Sequence, residues 1–340
     1  MFKEQLQNAI EGKTFTEDEA KRIMDEIMQG RATASQIASL LTIMKLRGNT
    51  VDELTGFVRS MRDHATTVDH DEDLLIDTCG TGGDGASTFN ISTTVAIVVA
   101  ATGIPVAKHG NRAVSSKSGS ADVLEQLGVP IQTSPEQAAR SLKSDHLCFL
   151  FAPHYHSAMK HAMTPRKEIG FRTVFNILGP MANPANSNYQ LIGVYDSRLA
   201  EKMAETLNRL GTKRALLVSG RDGLDECSIS APTDVVELRD GNITRFVLEP
   251  EQVGLTKAAN DDIIVLSVEE SGKMVEGVLQ GNAPEAAINI VLLNAAAALY
   301  TVGKVDTIAE GVHEAKKAIQ SGAAYEKLLS LKSKEAQLRA

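Results

Sequence analysis

The 340-residue sequence has few cysteines, no long apolar run and no excess of basic residues. Its three cysteines form no C-x-x-C pair and are too few for a disulfide framework, which favours a reducing compartment. The longest apolar run, 95–101, is far shorter than the roughly 20 residues that cross a bilayer, and no secretion signal opens the sequence. A net charge of −8 argues against a nucleic-acid binder that relies on bulk positive charge. We therefore expect a cytoplasmic protein with neither a membrane nor a nucleic acid as its partner.

Acidic residues are unevenly distributed along this acidic chain. The segment 85–121 contains no Asp or Glu, and the segment 146–195 contains only Glu168. Both segments include several Lys and Arg residues, so each is locally positive. Such a distribution is typical of a cleft that holds an anion.

The first 65 residues contain three capping boxes, in which a hydroxyl and a carboxylate or amide satisfy free backbone amides at a helix start. These begin at Thr16, Thr33 and Thr50, and apolar residues at helical spacing follow each of them. The pattern predicts a helical domain at 1–70. Its apolar faces are expected mainly to pack on one another, but so short a bundle leaves apolar surface for a dimer contact.

After a polar linker at 66–73 the sequence alternates between short strands and helices. Strands are predicted at 74–76, 105–107, 147–151, 190–195 and 215–218, and a hairpin at 235–248. Alternation of this kind predicts a mainly parallel sheet with crossover helices. The predicted fold class is α/β: a small N-terminal helical bundle domain and a large α/β domain at 73–340, with helices flanking its central sheet.

A glycine-rich segment, 77–85, follows the first predicted strand and leads to Asn90, Ser92 and Thr93 at the start of a helix. Glycines let backbone amides approach phosphate oxygens, and a helix N-terminus attracts phosphate. The segment matches neither the Walker loop nor the G-x-G-x-x-G pattern of dinucleotide sites. Taken alone it is as consistent with an ordinary tight turn as with a phosphate site.

Two more segments follow predicted strands, where α/β folds bind their ligands. The basic segment 108–120 includes Lys108 and Arg112, and next to a phosphate-type loop it is a candidate for substrate contact. The adjacent carboxylates of Asp225 and Glu226 follow the strand at 215–218 and are candidate Mg²⁺ ligands. From spacing alone, a solvated acidic pair is the more common explanation.

Together these segments resemble the anthranilate phosphoribosyltransferase family, in order and through nearly the whole chain. The resemblance is carried by Gly80-Thr81-Gly82-Gly83-Asp84, Asn90-Ile91-Ser92-Thr93, the segment 108–120, Gly179-Pro180-Met181-Ala182-Asn183-Pro184 and Asp222-Gly223-Leu224-Asp225-Glu226. It implies a pentosyltransferase of tryptophan biosynthesis, which transfers the phosphoribosyl group of phosphoribosyl pyrophosphate (PRPP) to the amine of anthranilate and releases pyrophosphate. It also implies a homodimer formed through the helical domain, and a helical insertion near 165–185 that completes this domain.

The resemblance further implies a set of site residues, transferred here by position. The substrate-binding residues would be Gly80, Gly83, Asp84, Thr88, Asn90, Ile91, Ser92, Thr93, Lys108, His109, Gly110, Asn111, Arg112, Ala113, Val114, Ser115, Ser116, Ser120 and Arg166. Among these, Asn111 and Arg166 would hold anthranilate. Two Mg²⁺ ions per monomer would bind at Ser92, Asp225 and Glu226. No nucleophilic side chain is expected, because loss of pyrophosphate leaves an oxocarbenium-like centre that well-placed charges stabilise.

Two other functions compete with this interpretation. A pyrimidine nucleoside phosphorylase of the same fold would use a nucleoside and free phosphate, and the Asp225-Glu226 pair together with Arg166 argues against it. A non-enzymatic relative that binds nucleic acid would have lost its metal carboxylates and gained a basic exterior, which this chain has not.

Several other residues suggest functions that their surroundings in the sequence do not support. His154, His156 and His161 fit no standard zinc spacing, and some of them are expected near the anthranilate entrance instead. Cys79 has no base nearby in the sequence and is expected to pack in the interior. Cys227 stands where the family leads us to expect an aliphatic residue, which should change only local packing.

Overall fold

The structure, a computed structural model, describes residues 2–113 and 117–338. Its N-terminal helices are α1 (Phe2–Ile10), α2 (Glu17–Met28), α3 (Ala34–Arg47) and α4 (Val51–Asp63). The three predicted capping boxes are confirmed at the starts of α2, α3 and α4. The apolar faces of these helices, including Met24, Ile37, Leu41 and Phe57, meet in one buried core.

The rest of the chain alternates between strands and helices, as the sequence predicts. In order these are β1 (Ile76–Gly80), α5 (Ile91–Ala101), β2 (Val106–Gly110), α6 (Ser120–Gln126), α7 (Pro135–Asp145), β3 (Leu147–Phe151), α8 (Ala152–Tyr155), α9 (Lys160–Ile169), α10 (Phe175–Leu178), β4 (Tyr189–Gly193), α11 (Ser197–Arg209), β5 (Arg214–Gly220), β6 (Thr233–Arg239), β7 (Asn242–Leu248), α12 (Val268–Gln280), α13 (Glu285–Thr301), α14 (Ile308–Gln320) and α15 (Ala323–Leu338). Short 3₁₀ turns lie at Ser157–Met159, Gly179–Met181, Pro250–Val253 and Asn260–Ile263.

The seven strands form one sheet in the order β3-β2-β1-β4-β5-β6-β7. Strands β1 to β5 are parallel, and β6 and β7 are added as an antiparallel hairpin. The predicted α/β class with a mainly parallel sheet is therefore confirmed. Since β2 and β3 lie on one side of β1 and β4 and β5 on the other, the strand order reverses beside β1. In parallel sheets such a reversal opens a crevice at the carboxyl ends of the strands.

The predicted ends of two strands were wrong. Strand β1 runs to Gly80 and β2 to Gly110, so Asp77, Lys108 and His109 lie inside strands rather than in loops. Polar residues normally argue against a buried strand, but here their partners are other buried groups. The His109 amide donates to Asp77 Oδ1 over 3.1 Å, and Lys108 Nζ donates to the Thr78 carbonyl over 2.6 Å.

Helices α9 and α10 come from the middle of the chain and pack with the N-terminal helices. Ala162, Phe175 and Leu178 belong to the same buried core as Met44 and Phe57. Among the described residues, no single helix is long and apolar enough to cross a membrane. The sharply bent pair α12–α13 has the length and composition of a membrane span only when its two helices are taken together.

Candidate active site

The site lies where the loops that follow β1, β2 and β5 meet at the carboxyl edge of the sheet. The Gly82 amide donates to Asp225 Oδ2 over 2.7 Å, which joins the glycine-rich loop to the acidic pair. A side chain at position 80 would begin 2.5 Å from the same carboxylate oxygen, so the approach of these loops requires glycine there. Gly83 adopts φ 82°, which also favours glycine, and its carbonyl accepts from Arg172 over 2.8 Å.

The acidic pair is half-buried, close to a third carboxylate. Burial raises the pKa of Asp225 to about 8, and the neighbouring Asp84 carboxylate contributes to the rise. Burial and then the charge of Asp225 raise the pKa of Glu226 well above its ordinary value. Both carboxylates would ionise readily beside a cation, so this donor set fits Mg²⁺. No cluster of three or more His, Cys, Asp or Glu side chains placed for a metal occurs among residues 2–113 and 117–338. Mg²⁺ often uses only one or two carboxylates and takes its other ligands from phosphate and water.

Lys108 connects this pair to the start of α5. It is buried, with 2 % of its surface exposed, and its Nζ lies 3.1 Å from Ser92 Oγ. Burial lowers the pKa of Lys108, while the charges of Asp77 and Glu226 oppose that shift. The Lys108 side chain on β2 therefore places one positive charge in the crevice, next to Ser92 and Glu226, which are two of the predicted metal ligands.

The residues around the start of α5 are held in different ways. Ile91 and Thr93 are buried, and Thr93 lies with Lys108 beside a small cavity under the sheet edge. Thr88 forms an isolated antiparallel bridge with Ile264. The Asn90 side chain donates to Ser118 Oγ over 2.8 Å, which ties α5 to the end of the basic segment.

The basic segment lies against α6 in this structure. Arg112 donates to Asp122 over 2.9 Å and to Glu125 over 2.8 Å, so the first acids after the acid-free segment neutralise it. The amides of Ala113 and Arg112 donate to Asp122 and Asn111 respectively. Ser120 begins α6 close to Gly110. The predicted site residues Val114, Ser115 and Ser116 lie outside the described residues.

A second group of residues lies around the turn at 179–184. The rings of His109 and His156 are 5.2 Å apart, and burial, followed by the nearby His156, lowers the pKa of His109 to about 3. The His156 ring also lies 2.9 Å from the Ala182 carbonyl. Arg166, at the end of α9, has its guanidinium 4.9 Å from the centre of the Phe175 ring. We find no salt bridge to Arg166 within the described residues.

Sequence reasoning missed several residues that hold these parts in place. Asn183 donates to Asp77 Oδ2 and to the Ala107 carbonyl, both over 2.8 Å, which fixes the 179–184 turn to β1 and β2. Arg62, at the end of α4, donates twice to the Met181 carbonyl and so connects the helical part to the same turn. No local signal marks these roles, because each depends on contacts more than 70 residues away in the chain.

The described residues around the crevice place charge there. Two half-buried carboxylates, one buried lysine and a glycine-rich loop surround it. The three cysteines are buried and free, and burial raises the pKa of each thiol. A phosphorylated substrate with a bound divalent cation is the ligand that these groups suit.

Comparison with known proteins identifies the family. Residues 3–65 match the model described as "Glycosyl transferase family, helical bundle domain", and residues 72–325 match "Glycosyl transferase family, a/b domain". An anthranilate phosphoribosyltransferase of Geobacillus kaustophilus (strain HTA426) is 61 % identical over 335 residues, which cover 98 % of each chain. The chain belongs to the anthranilate phosphoribosyltransferase family. That of Halalkalibacterium halodurans is 58 % identical over 322 residues, 95 % of this chain and 94 % of that one.

Solved structures agree with the family assignment. Anthranilate phosphoribosyltransferase from Thermus thermophilus superposes with a TM-score of 0.92 at 38 % identity, covering 98 % of this chain and 99 % of that one. The Saccharomyces cerevisiae protein, in complex with PRPP and Mg, gives a TM-score of 0.86 at 27 % identity, covering 95 % and 94 %. Membership decides against the phosphorylase and the non-enzymatic alternatives. The chain is a transferase, and it catalyses its family's step in tryptophan biosynthesis.

Proposed function

We propose that this site binds PRPP with Mg²⁺ at the carboxyl ends of β1 and β5, and binds anthranilate beside β2 and the 179–184 turn. The observation that carries the proposal is the meeting of Asp225 and Glu226 with Lys108, Ser92 and the glycine-rich loop. The loop amides and the start of α5 are suited to phosphate oxygens. Ser92, Asp225 and Glu226 would hold two Mg²⁺ ions, which neutralise charge on the departing pyrophosphate.

The chain's own groups act by placing charge around the ribose carbon C1. Lys108 supports the negative oxygens of the departing pyrophosphate from the β2 side, where its buried position strengthens the interaction. The basic segment is also predicted to contact the substrate. For this contact Arg112 must break its salt bridges to Asp122 and Glu125 and bind a phosphate group instead. No proton has to be removed from anthranilate before attack, since its neutral amine carries a lone pair, and positioning near C1 suffices.

The acceptor is proposed to lie between Asn111, His109 and Arg166. The Arg166 guanidinium matches a carboxylate in shape and charge. His109 is held neutral by burial, which keeps its pKa low, so it offers an aromatic surface without adding a second cation. This arrangement would direct the anthranilate carboxylate to Arg166 and its amine to C1.

A fluorescence assay tests this function directly. Adding PRPP to the protein, Mg²⁺ and anthranilate is expected to remove the anthranilate fluorescence, because the amine becomes a ribosylated amine. Controls omit PRPP or replace Mg²⁺ with EDTA, and both should keep the signal constant. Folded protein that consumes no anthranilate under these conditions would contradict the proposal, and parallel assays with uridine or thymidine and phosphate test the phosphorylase activity.

We also propose that the chain forms a homodimer through its helical domain. The most exposed large apolar side chains among the described residues of this domain are Leu46 at 84 %, Ile10 at 67 % and Met163 at 56 %. They belong to α3, α1 and α9, and both α1 and α9 pack on α3, so one surface can include all three. Apolar side chains this exposed are common singly, but a group of them is typical of a protein–protein contact.

Leu46→Glu is expected to convert the dimer to a monomer, because a charge in the middle of an apolar interface is left unpaired. Light scattering after size-exclusion chromatography measures the mass. Leu266→Glu is the matched control, since Leu266 is 72 % exposed but lies outside the helical domain. A wild-type protein that elutes as a monomer would contradict the dimer, as would a Leu46→Glu variant of unchanged mass.

The division into a helical domain at 1–70 and an α/β domain at 73–340 is part of the same proposal. The packing of α9 and α10 with the N-terminal core supports completion of the helical domain from mid-chain, beginning a little before residue 165. A cytoplasmic location is likewise proposed, on the support of three free, buried cysteines.

A further inference from the structure

Asn90 immediately precedes α5, whose first turn contributes Ser92 and Thr93 to the proposed phosphate site. An asparagine at this position usually caps its own helix, because its side-chain oxygen accepts from an amide two or three residues later. Asn90 makes no such hydrogen bond, and its backbone has φ −73° and ψ 76°. The capping threonines of α2, α3 and α4 have ψ between 158° and 164° instead. The Asn90 side chain is therefore turned away from the helix that it begins.

Ser118 and Ser271 both hold it there: the Asn90 side-chain amide donates to Ser118 Oγ over 2.8 Å, and Ser271 on α12 accepts from both the backbone and the side chain of Asn90. The Asn90 backbone amide donates to Ser271 Oγ over 3.1 Å, and the Asn90 side-chain amide donates to the same oxygen over 3.2 Å. Ser271 is fully buried, at 0 % exposed, and lies 181 residues later in the chain. A buried hydroxyl that accepts two N–H groups from one residue strongly restrains that residue, since water is not available to replace it.

The segment that precedes α12 also forms hydrogen bonds with the residues just before α5. The Phe89 amide donates to the Ile263 carbonyl, and the Val265 amide donates to the Ser87 carbonyl, both over 2.9 Å. Ser87 lies at φ 54°, a conformation that a serine adopts only when its surroundings impose it. The approach to α5 is thus held from 263–271 and not only by its own sequence.

The Ile91 amide already donates to the Phe89 carbonyl over 2.7 Å, so a side-chain cap would take a later amide of the first turn, such as that of Thr93. We propose that Ser271 is a positioning residue for phosphate binding: with Ser118 it holds Asn90 away from its own helix, and so leaves the Thr93 amide to the phosphate groups of PRPP. The inference rests on the proposed function, because it assigns that amide to a phosphate. Ser271 acts through Asn90 and has no role in the bond that breaks or forms. Without Ser271 the Asn90 backbone amide loses its acceptor and the side chain keeps only its hydrogen bonds to Ser118. The side chain then turns more readily toward α5, where it competes with the substrate for the same donor.

Ser271→Ala tests the inference. The Kd for PRPP with Mg²⁺, measured by calorimetry without anthranilate, is expected to rise about three- to tenfold, together with the KM for PRPP. The kcat and the KM for anthranilate should stay within about twofold of wild type. The thermal midpoint should fall less than that of Ser60→Ala, a control that removes another fully buried helix serine, because Asn90 gains a cap in exchange.

A double-mutant cycle separates positioning through Asn90 from general packing. In an Asn90→Ala background, Ser271→Ala should raise the Kd for PRPP by less than about twofold, since no side chain is left to redirect. Ser271→Cys keeps the size of the side chain but is a weaker acceptor, and it repeats the measurement if the alanine variant does not fold.

The outcomes distinguish the two levels of the proposal. An unchanged Kd for PRPP in the folded Ser271→Ala or Ser271→Cys variant would overturn the role of Ser271 alone. Equal effects in the native and Asn90→Ala backgrounds would overturn it as well. A wild-type protein that neither binds PRPP nor consumes anthranilate would instead overturn the proposed function, and this inference with it.

Discussion

Replacing Asp225 with Asn and Glu226 with Gln in one protein is expected to lower kcat by a factor of about 10³ or more. These half-buried carboxylates lie beyond the carboxyl end of β5, and their neutral isosteres have the same shape without the charge. The Gly82 amide retains an acceptor at position 225, so the glycine-rich loop should keep its place. The loss would then report on charge and metal binding rather than on unfolding, and a Mg²⁺ titration of activity measures it.

The same substitutions are expected to change how stability depends on pH. The pKa of Asp225 is about 8 in the folded protein and near 3.8 when unfolded, and the pKa of Glu226 is raised in the same direction. The folded state therefore holds protons that the unfolded state has lost, so stability falls as pH rises from about 4 to about 8. Between pH 5 and 8 in EDTA, the midpoint of thermal unfolding should decline more steeply for wild type than for the double variant. Asp77, whose pKa burial raises to about 6, contributes an equal background to both.

Mg²⁺ provides the matching test at pH 8. It should raise the thermal midpoint of wild type and leave that of the double variant unchanged, because only the native pair has charge to neutralise. Asp261→Asn with Asp262→Asn is the control, since it removes an adjacent but exposed acidic pair. If the thermal midpoints of the double variant and of wild type depend on pH and on Mg²⁺ in the same way, the metal site lies elsewhere.

The parts of the fold that depend on neighbours in sequence could be predicted. The capping boxes at Thr16, Thr33 and Thr50 were read correctly because a cap involves residues three apart. The strand ends at 77–80 and 108–110 were not, because their polar side chains are stabilised by distant partners. Asp77 is accommodated in β1 by Asn183, which lies 106 residues later in the chain. No local pattern contains that information.

The contacts that connect the segments of the predicted site could not be read from the sequence. The motifs indicated which segments meet, and the structure brings Ser92, Lys108, Asp225 and Glu226 to one crevice. The uneven distribution of acids was a less complete guide, because Arg112 is paired with Asp122, the first acid beyond the acid-free segment. The net charge of a sequence segment does not include acidic residues outside the segment that the fold brings into contact with it. Arg62 and Ser271 escaped detection for a similar reason, since their roles are defined by the atoms that they contact.

Arg166→Ala is expected to raise the KM for anthranilate by about 10- to 100-fold while leaving the KM for PRPP within about twofold. The Arg166 guanidinium is half-buried against Phe175, and burial lowers its pKa without making it neutral at physiological pH. This partly buried cation forms no salt bridge with the described residues. Its burial therefore costs free energy unless a ligand supplies the opposite charge. The anthranilate carboxylate is that ligand in the proposed function. Steady-state kinetics with each substrate varied in turn separates the two KM values.

Variants and substrate analogues together show whether the carboxylate is the group that Arg166 recognises. Arg166→Lys keeps the charge but loses the paired N–H groups, so its KM should fall between those of wild type and Arg166→Ala. Anthranilamide, which has no carboxylate, should be a poor acceptor for wild type, and Arg166→Ala should discriminate little between it and anthranilate. Lys167→Ala removes an exposed cation from the same helix and is expected to leave both KM values unchanged. Equal increases in both KM values in Arg166→Ala would mean that Arg166 supports the whole crevice rather than the acceptor. The preference for a carboxylate would then have to come from Asn111 or from the basic segment.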